Sequence, residues 1–297
     1  MYDVSSENLI RALLQTVTYA DIFDYPLTLD EIHRYFHGIP VSNSSIEKLL
    51  TRNHLLSTSD GYFTLPGREE NIQTRKRREQ ISKDLWPHAH RYGLKIARLP
   101  FIRMVASYGA LAVNNVDRDA DIDYLIVTEP GRLWLSRAMV ILIGYSAAKH
   151  NLTLCPNYLI TLNALRFLDQ NPYTAREITQ MIPVAGIDVY NNIRQQNEWT
   201  RQFLPNAEGV PMSQHFPART NINSLTRPTL EKILRSPPFS KLEHWEMTRK
   251  IQKLRREQST SPESNFTADV CKGHDQSHQA QTFAALEEKL SQFPSVT

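Results

Sequence analysis

Two cysteines in 297 residues, Cys155 and Cys271, cannot build a disulfide framework. That excludes the small stapled secreted scaffolds and leaves a reducing cytoplasm as the expected compartment. Neither sign of charge dominates: 34 Lys and Arg face 31 Asp and Glu, a net of +3, so the electrostatic information lies in local clusters. Long apolar runs are missing too. The nearest approach, residues 138–148, has about half the roughly 20 residues a spanning helix needs, so no membrane partner is expected. The opening MYDVSSENLIRALL has no basic start followed by an apolar core, which reads as no signal peptide. No internal repeat is visible.

What is present is enough apolar side chain, 41%, for one large core or for two to three small ones. SSENLIRALLQTVT carries apolar positions at helical spacing. LTLDEIHRYFHG follows, with Thr28 placed to cap a second helix, and SNSSIEKLLTR predicts a third behind Ser42 or Asn43. HLLSTSDGYFTLPG then reads as two short strands about an Asp60-Gly61 turn. Three helices and a hairpin is the order of a winged helix-turn-helix. From residue 68 to about 96 the pattern is helical again, with the RKRR cluster at 75–78 on its outer side.

Beyond residue 99, FIRMVASYG predicts a strand and turn, ALAVNNVDRDA a short helix and loop, and DIDYLIVT a strand. GRLWLSRAMVILIGYSAAKH predicts a long buried helix, and LCPNYLIT another strand. NPYTAREITQMI and DVYNNIRQQNEWTRQFLP read as helices, the first with Thr174 and Glu177 at capping-box spacing. Residues 207–229 read as linker, 230–257 as a basic helical stretch and 258–268 as a loose polar segment.

The chemistry concentrates in SYGALAVNNVDRDADIDYLIVT, residues 107–128. Side chains two apart on a strand share a face, so Asp121 and Asp123 stand side by side, and like charges that close call for a cation between them. Asp is unfavourable in strands, which counts against a purely structural role for the pair. Gly109 lets backbone N–H groups approach a phosphate, and phosphate with paired carboxylates points to Mg²⁺, which takes oxygen ligands.

Gly109-Ala110, ten residues, then Asp121-Ile122-Asp123 and an apolar strand resembles the signature of the DNA polymerase beta-like nucleotidyltransferase superfamily. The likeness runs over residues 103–161. The wider chain, including ITQMIPVAG and DVCKGH, is similar to bacterial nucleotidyltransferase-domain proteins. The resemblance implies an α+β fold: a winged helix-turn-helix over 1–67, a linking helix over 68–98, a mixed-sheet nucleotidyltransferase domain over 99–206, and a linker with helical extension over 207–297. It implies transfer of a nucleoside monophosphate from an NTP to an acceptor hydroxyl on a small molecule, RNA or protein. Ser107, Gly109 and Ala110 would then bind nucleotide, and Asp121 and Asp123 would hold two Mg²⁺ ions. This chain departs from the pattern twice. Ala110 replaces the common Ser, and Asn157 stands where many members carry a third metal-binding carboxylate, a role an amide fills poorly. Glu177 or Asp169 folding into the site, activation by metal alone, or lapsed catalysis would each account for that.

The rival to transfer is a non-catalytic regulator, a nucleotide- or partner-binding protein of the winged-helix DNA-binding or antitoxin-like kind. Ser44, Ser45, Lys48 and Arg52 would face a DNA groove, although two cations against Glu47 are few for nucleic acid. Cys271, His274 and His278 have a spacing usable by Zn²⁺ only with a fourth ligand from elsewhere.

Overall fold

A computed structural model of the chain describes residues 6–53, 55–211, 227–257, 264–273 and 278–293. The chain is α+β with a mixed sheet. Its first part holds α1 (Ser6–Asp21), β1 (Leu27–Thr28), α2 (Leu29–Arg34), α3 (Asn43–Asn53), β2 (Ser57–Ser59) and β3 (Tyr62–Thr64). The expected hairpin is β2 with β3, and β1 joins it antiparallel as a third strand that two residues of sequence did not announce. Leu13, Val17, Leu27, Ile32, Phe36 and Ile46 form the apolar core between these helices. α2 begins in a capping box: the Thr28 hydroxyl accepts from the Glu31 N–H at 3.3 Å, and the Glu31 carboxylate accepts from the Thr28 N–H at 2.9 Å.

The long helix α4 (Asn71–Ala97) follows, and its basic cluster does not all face outward as expected. Arg75 is 3% exposed, with its guanidinium 3.7 Å above the Tyr25 ring, 2.9 Å from Glu31 and 2.6 Å from Glu79. Arg78 donates to Asp117 at 2.9 Å and to the Phe23 carbonyl at 3.1 Å. Desolvating a guanidinium is costly, so Arg75 is tolerated inside because two carboxylates and an aromatic face meet it there.

The larger sheet is built from β4 (Ile102–Ser107), α5 (Gly109–Ala112), β5 (Ile122–Thr128), α6 (Leu133–Ala148), β6 (Leu154–Thr161), α7 (Pro172–Gln180), β7 (Ile182–Ala185) and α8 (Ile187–Gln196). Further on come α9 (Arg227–Leu234), α10 (Pro237–Glu257), β8 (Asn265–Phe266), β9 (Val270–Lys272) and α11 (His278–Leu290). The strand order is β7-β4-β5-β6-β9-β8. Among the described residues only β5 and β6 pair in parallel, and α6 is the crossover such a pair needs. Along β5, Ile122, Tyr124 and Ile126 pack with Trp86, Trp134 and Val140 on one face, while Leu125 and Val127 pack with Tyr158, Ile178 and Tyr190 on the other. Asp123 therefore falls on the second face by alternation.

Three further expectations are corrected. The helix over NPYTAREITQMI stops at Gln180 and the chain enters β7, because the residue before Pro183 is driven out of the α region. α6 is buried along one stripe only, leaving Leu142 and Tyr145 each 67% exposed, since its sheet-facing side is narrower than its apolar run. Residues 265–266 and 270–272, expected in a loose segment and a tail, extend the sheet, which puts Cys271 in the core at 2% exposure. Gly186, at φ +80°, closes β7: a Cβ there would lie 2.2 Å from the Arg103 carbonyl oxygen, so no other residue lets β7 sit this close to β4.

Glu231 ties α9 to this sheet. It accepts from the Phe101 N–H at 2.8 Å and from Arg103 at 2.9 Å and Arg227 at 3.0 Å, contacts that outweigh burial and hold its carboxyl down at about 2. An unfolded Glu ionises near 4.5, so below that pH the unfolded state binds the extra proton and the stabilisation drains away as pH falls toward 2. After allowance for solvent screening, Glu231→Gln is expected to lose about 2 kcal/mol at pH 7. Urea titrations should show the gap from wild type closing between pH 5 and pH 2.5, and a constant gap would count against the charge network.

Candidate active site

Where β4 ends, the chain turns at Tyr108 into α5, and Gly109 takes φ +66°. The turn is pinned across the sheet by the Tyr108 N–H donating to the Asp123 carbonyl at 3.1 Å. This brings the Asp123 carboxylate against the glycine: a Cβ on Gly109 would lie 3.0 Å from Asp123 Oδ2. The same side chains line a cavity of about 420 Å³, within the range of small-ligand pockets. Its walls are largely aromatic, with Tyr19, Phe23, Tyr25, Tyr108, Tyr158 and Tyr173, and its polar groups include Asp123, Cys155, Arg176 and Glu177.

The electrostatics are those of acids held away from water. Burial, reinforced by the negative charges of Asp121 and Glu177, raises the Asp123 carboxyl to about 7 against the opposing hydrogen bond of the Cys155 thiol. Withdrawal from water also raises Glu177, opposed by a hydrogen bond from the Tyr108 hydroxyl and by the charges of Lys272 and Arg176. Gln180 Nε2 donates to Glu177 Oε1 at 2.8 Å. Burial lifts the Tyr108 and Tyr158 hydroxyls well above their ordinary range, so both remain protonated at neutral pH.

Several of the residues singled out in the sequence meet here and others do not. Gly109, Ala110 and Asp123 line the cavity; Asp121 lies one position before β5, exposed, and acts on Asp123 through its charge. Ser107 is fully buried at the end of β4 and does not line the cavity; its hydroxyl has no hydrogen-bond partner among the described residues. The side chain of Asn157, expected as a metal contact, lies outside the described residues. Asp169 is exposed and pairs with Lys272 at 3.5 Å.

Glu177 is the main gain. The capping-box reading fails because α7 begins earlier: Asn171 is the N-cap, its side chain accepting from the Thr174 N–H at 2.9 Å, and Pro172 opens the first turn. Asn171-Pro172 is the signal the sequence offers, and it moves Glu177 from the helix start to a face of the second turn. Of the Zn²⁺ candidates, Cys271 is in the sheet, His278 lines the cavity and His274 lies outside the described residues. Among the described residues no three His, Cys, Asp or Glu side chains come together as a preformed metal cluster. No family model, curated protein or solved structure matches the chain.

Proposed function

We propose that this chain is a Mg²⁺-dependent nucleotidyltransferase that moves a nucleoside monophosphate from an NTP to an acceptor hydroxyl and releases pyrophosphate. The observation that carries the reading is the Asp123 carboxylate packed on the Gly109 turn inside the cavity, with Glu177 beside it. The residues fit the ion. Asp121 and Asp123 supply hard oxygen donors whose mutual repulsion a dication relieves, and Mg²⁺ is usually held by one or two carboxylates with substrate phosphates completing its shell. When bound, the metal neutralises charge on the transferred phosphoryl group.

The protein's own part is positioning and proton transfer. Backbone at Gly109 and Ala110 meets the phosphates, since the glycine leaves no Cβ in the way. Tyrosine rings offer flat faces to a base. Glu177 takes the acceptor's proton, a role suited to a carboxyl whose hold on protons burial has strengthened. The three helices and three-stranded sheet of the first 65 residues support a winged helix, with Ser44, Ser45, Lys48 and Arg52 exposed along α3 for nucleic acid. In this reading 1–67 is the winged helix, 68–98 the linking helix and 99–206 the transferase domain, whose sheet is completed by β8 and β9 from the extension 207–297. No helix among the described residues is long and apolar enough to cross a membrane, and a cytoplasmic setting belongs to the same proposal.

Incubation with each labelled NTP, Mg²⁺ and cell extract tests the reading by pyrophosphate release and by label appearing on an acceptor. Tight Mg-nucleotide binding without turnover would favour the regulator instead, and neither binding nor turnover would remove both. Glu177→Gln is expected to cut kcat by about a hundredfold or more while the Kd for Mg-NTP stays within about threefold, the pattern of a lost base. A matched loss of affinity would place Glu177 on the nucleotide rather than on the acceptor's proton.

A further inference from the structure

A second, smaller cavity of about 220 Å³ adjoins the first, and Tyr19 and Arg176 line both. Its walls are mainly apolar, including Tyr35, Leu204, Phe283, Leu286 and Leu290. Among the described residues Arg176 is the one Arg or Lys lining either cavity. It is 7% exposed, with its guanidinium 3.3 Å from the Tyr35 ring centroid and 5.5 Å from that of Tyr19.

What distinguishes Arg176 is the partner it lacks. Arg75, similarly buried, meets two carboxylates and a backbone carbonyl. The Arg176 guanidinium forms no ion pair and donates no hydrogen bond among the described residues; it meets aromatic faces instead. Glu177, next in sequence, feels the Arg176 charge, and Glu287 also lines the smaller cavity, but neither forms an ion pair with Arg176 among the described residues. His37, the other basic group lining the smaller cavity, is lowered by burial and so supplies no competing charge at neutral pH. A largely buried guanidinium has five donors to offer, and with no ion pair among the described residues a ligand's negative group would complete it. The guanidinium packs against the Tyr35 ring in the wall shared by the two cavities, and an arginine so placed can grip an oxyanion with two parallel hydrogen bonds.

We propose that Arg176 forms an oxyanion subsite at the junction of the two cavities, taking the phosphoryl or carboxylate group of a ligand whose ring or apolar body lies along the tyrosines. Under the transfer reaction this ligand is the acceptor, and that assignment rests on the proposed nucleotidyl transfer; the subsite itself rests on Arg176. A Mg²⁺ ion held by Asp121 and Asp123 would answer the charge of the nucleotide at the Gly109 end, which leaves Arg176 for the second substrate.

The test uses the full chain in EDTA, so that no metal takes part. Inorganic phosphate and malonate are each titrated at constant ionic strength, with calorimetry and thermal shift as readouts. Wild type should bind at least one of them saturably, and which one it prefers tells phosphoryl from carboxylate. Arg176→Met, close in length and uncharged, should weaken binding about tenfold or more while its circular dichroism matches wild type, and Arg176→Lys should fall between. Absence of saturable binding by wild type, or equal binding by Arg176→Met, overturns the subsite. Should neither variant fold, hydroxyphenylglyoxal labelling of wild type mapped by mass spectrometry replaces them: phosphate or malonate must protect Arg176, and unprotected labelling overturns the proposal. Asp123→Asn separates the two readings, because it should keep this metal-free anion binding. If Arg176 binds as stated and no NTP is turned over, transfer fails and the subsite stands; turnover with an Arg176→Met protein that still binds the anions fells the subsite alone.

Discussion

Asp123→Asn is expected to reduce Mg²⁺-dependent turnover by about a hundredfold or more and, above pH 7, to give a more stable protein than wild type. Both effects have one origin. The native carboxyl titrates at about 7 because it is held away from water near Asp121 and Glu177, whereas in the unfolded chain it titrates near 3.8. Between those values the native state binds more protons than the unfolded state, so stability falls as pH rises, and the full penalty is present above 7. An amide carries no charge to desolvate. After allowance for partial solvent screening the gain is about 2 kcal/mol at pH 8, shrinking to nothing near pH 3.5. Urea denaturation across pH 3.5 to 8 reads the stability, and pyrophosphate release reads the function. A residue kept for structure would lose stability on this substitution, so a less stable Asp123→Asn protein with turnover intact removes the site. Asp121→Asn should show the same loss of turnover with a smaller gain in stability, because Asp121 is exposed.

The parts of the fold legible in the sequence are those where one periodicity runs without competition. DIDYLIVT and LCPNYLIT are apolar runs bounded by polar residues, and they form β5 and β6 where expected. Asp121 and Asp123 stand out for the same reason, as charges in a setting that disfavours them. Illegibility has particular causes. β1, β8 and β9 are two or three residues long, too short for any period to register, and are strands because partners distant in sequence complete their hydrogen bonds. Arg75 reads as a surface cation because nothing local announces Glu31, 44 residues away, as its partner. Glu177 is hidden by a coincidence of spacing, since Thr174 three residues earlier matches a cap that Asn171 in fact provides. The aromatic cavity could not be read at all: Tyr19, Tyr108, Tyr158 and Tyr173 come from four separate parts of the chain and meet only when it folds.

Gly109→Val is expected to abolish Mg-NTP turnover about as completely as Asp123→Asn while costing about 1–2 kcal/mol of stability, and the two losses have separate causes. The stability loss is local. Gly109 sits at φ +66°, a left-handed conformation that a β-branched residue adopts with strain. The functional loss passes through a neighbour. A Cβ would stand 3.0 Å from Asp123 Oδ2, and the two methyl groups of valine need still more room, so the carboxylate has to leave its place beside the turn. The glycine's role as a phosphate cradle and its role as a seat for Asp123 make different predictions when the substitutions are combined. If Gly109 acts by holding Asp123, the double variant Gly109→Val/Asp123→Asn should be no slower than the slower single one, since both remove the same carboxylate from the same position. If the glycine also meets phosphate directly, metal-free pyrophosphate binding should fall in Gly109→Val and hold in Asp123→Asn. Residual turnover in each single variant, measured by pyrophosphate release, sets the scale. A double variant slower than either by the product of their separate losses would mean that Gly109 and Asp123 work independently, and the packed pair at the centre of the site would not be a functional unit.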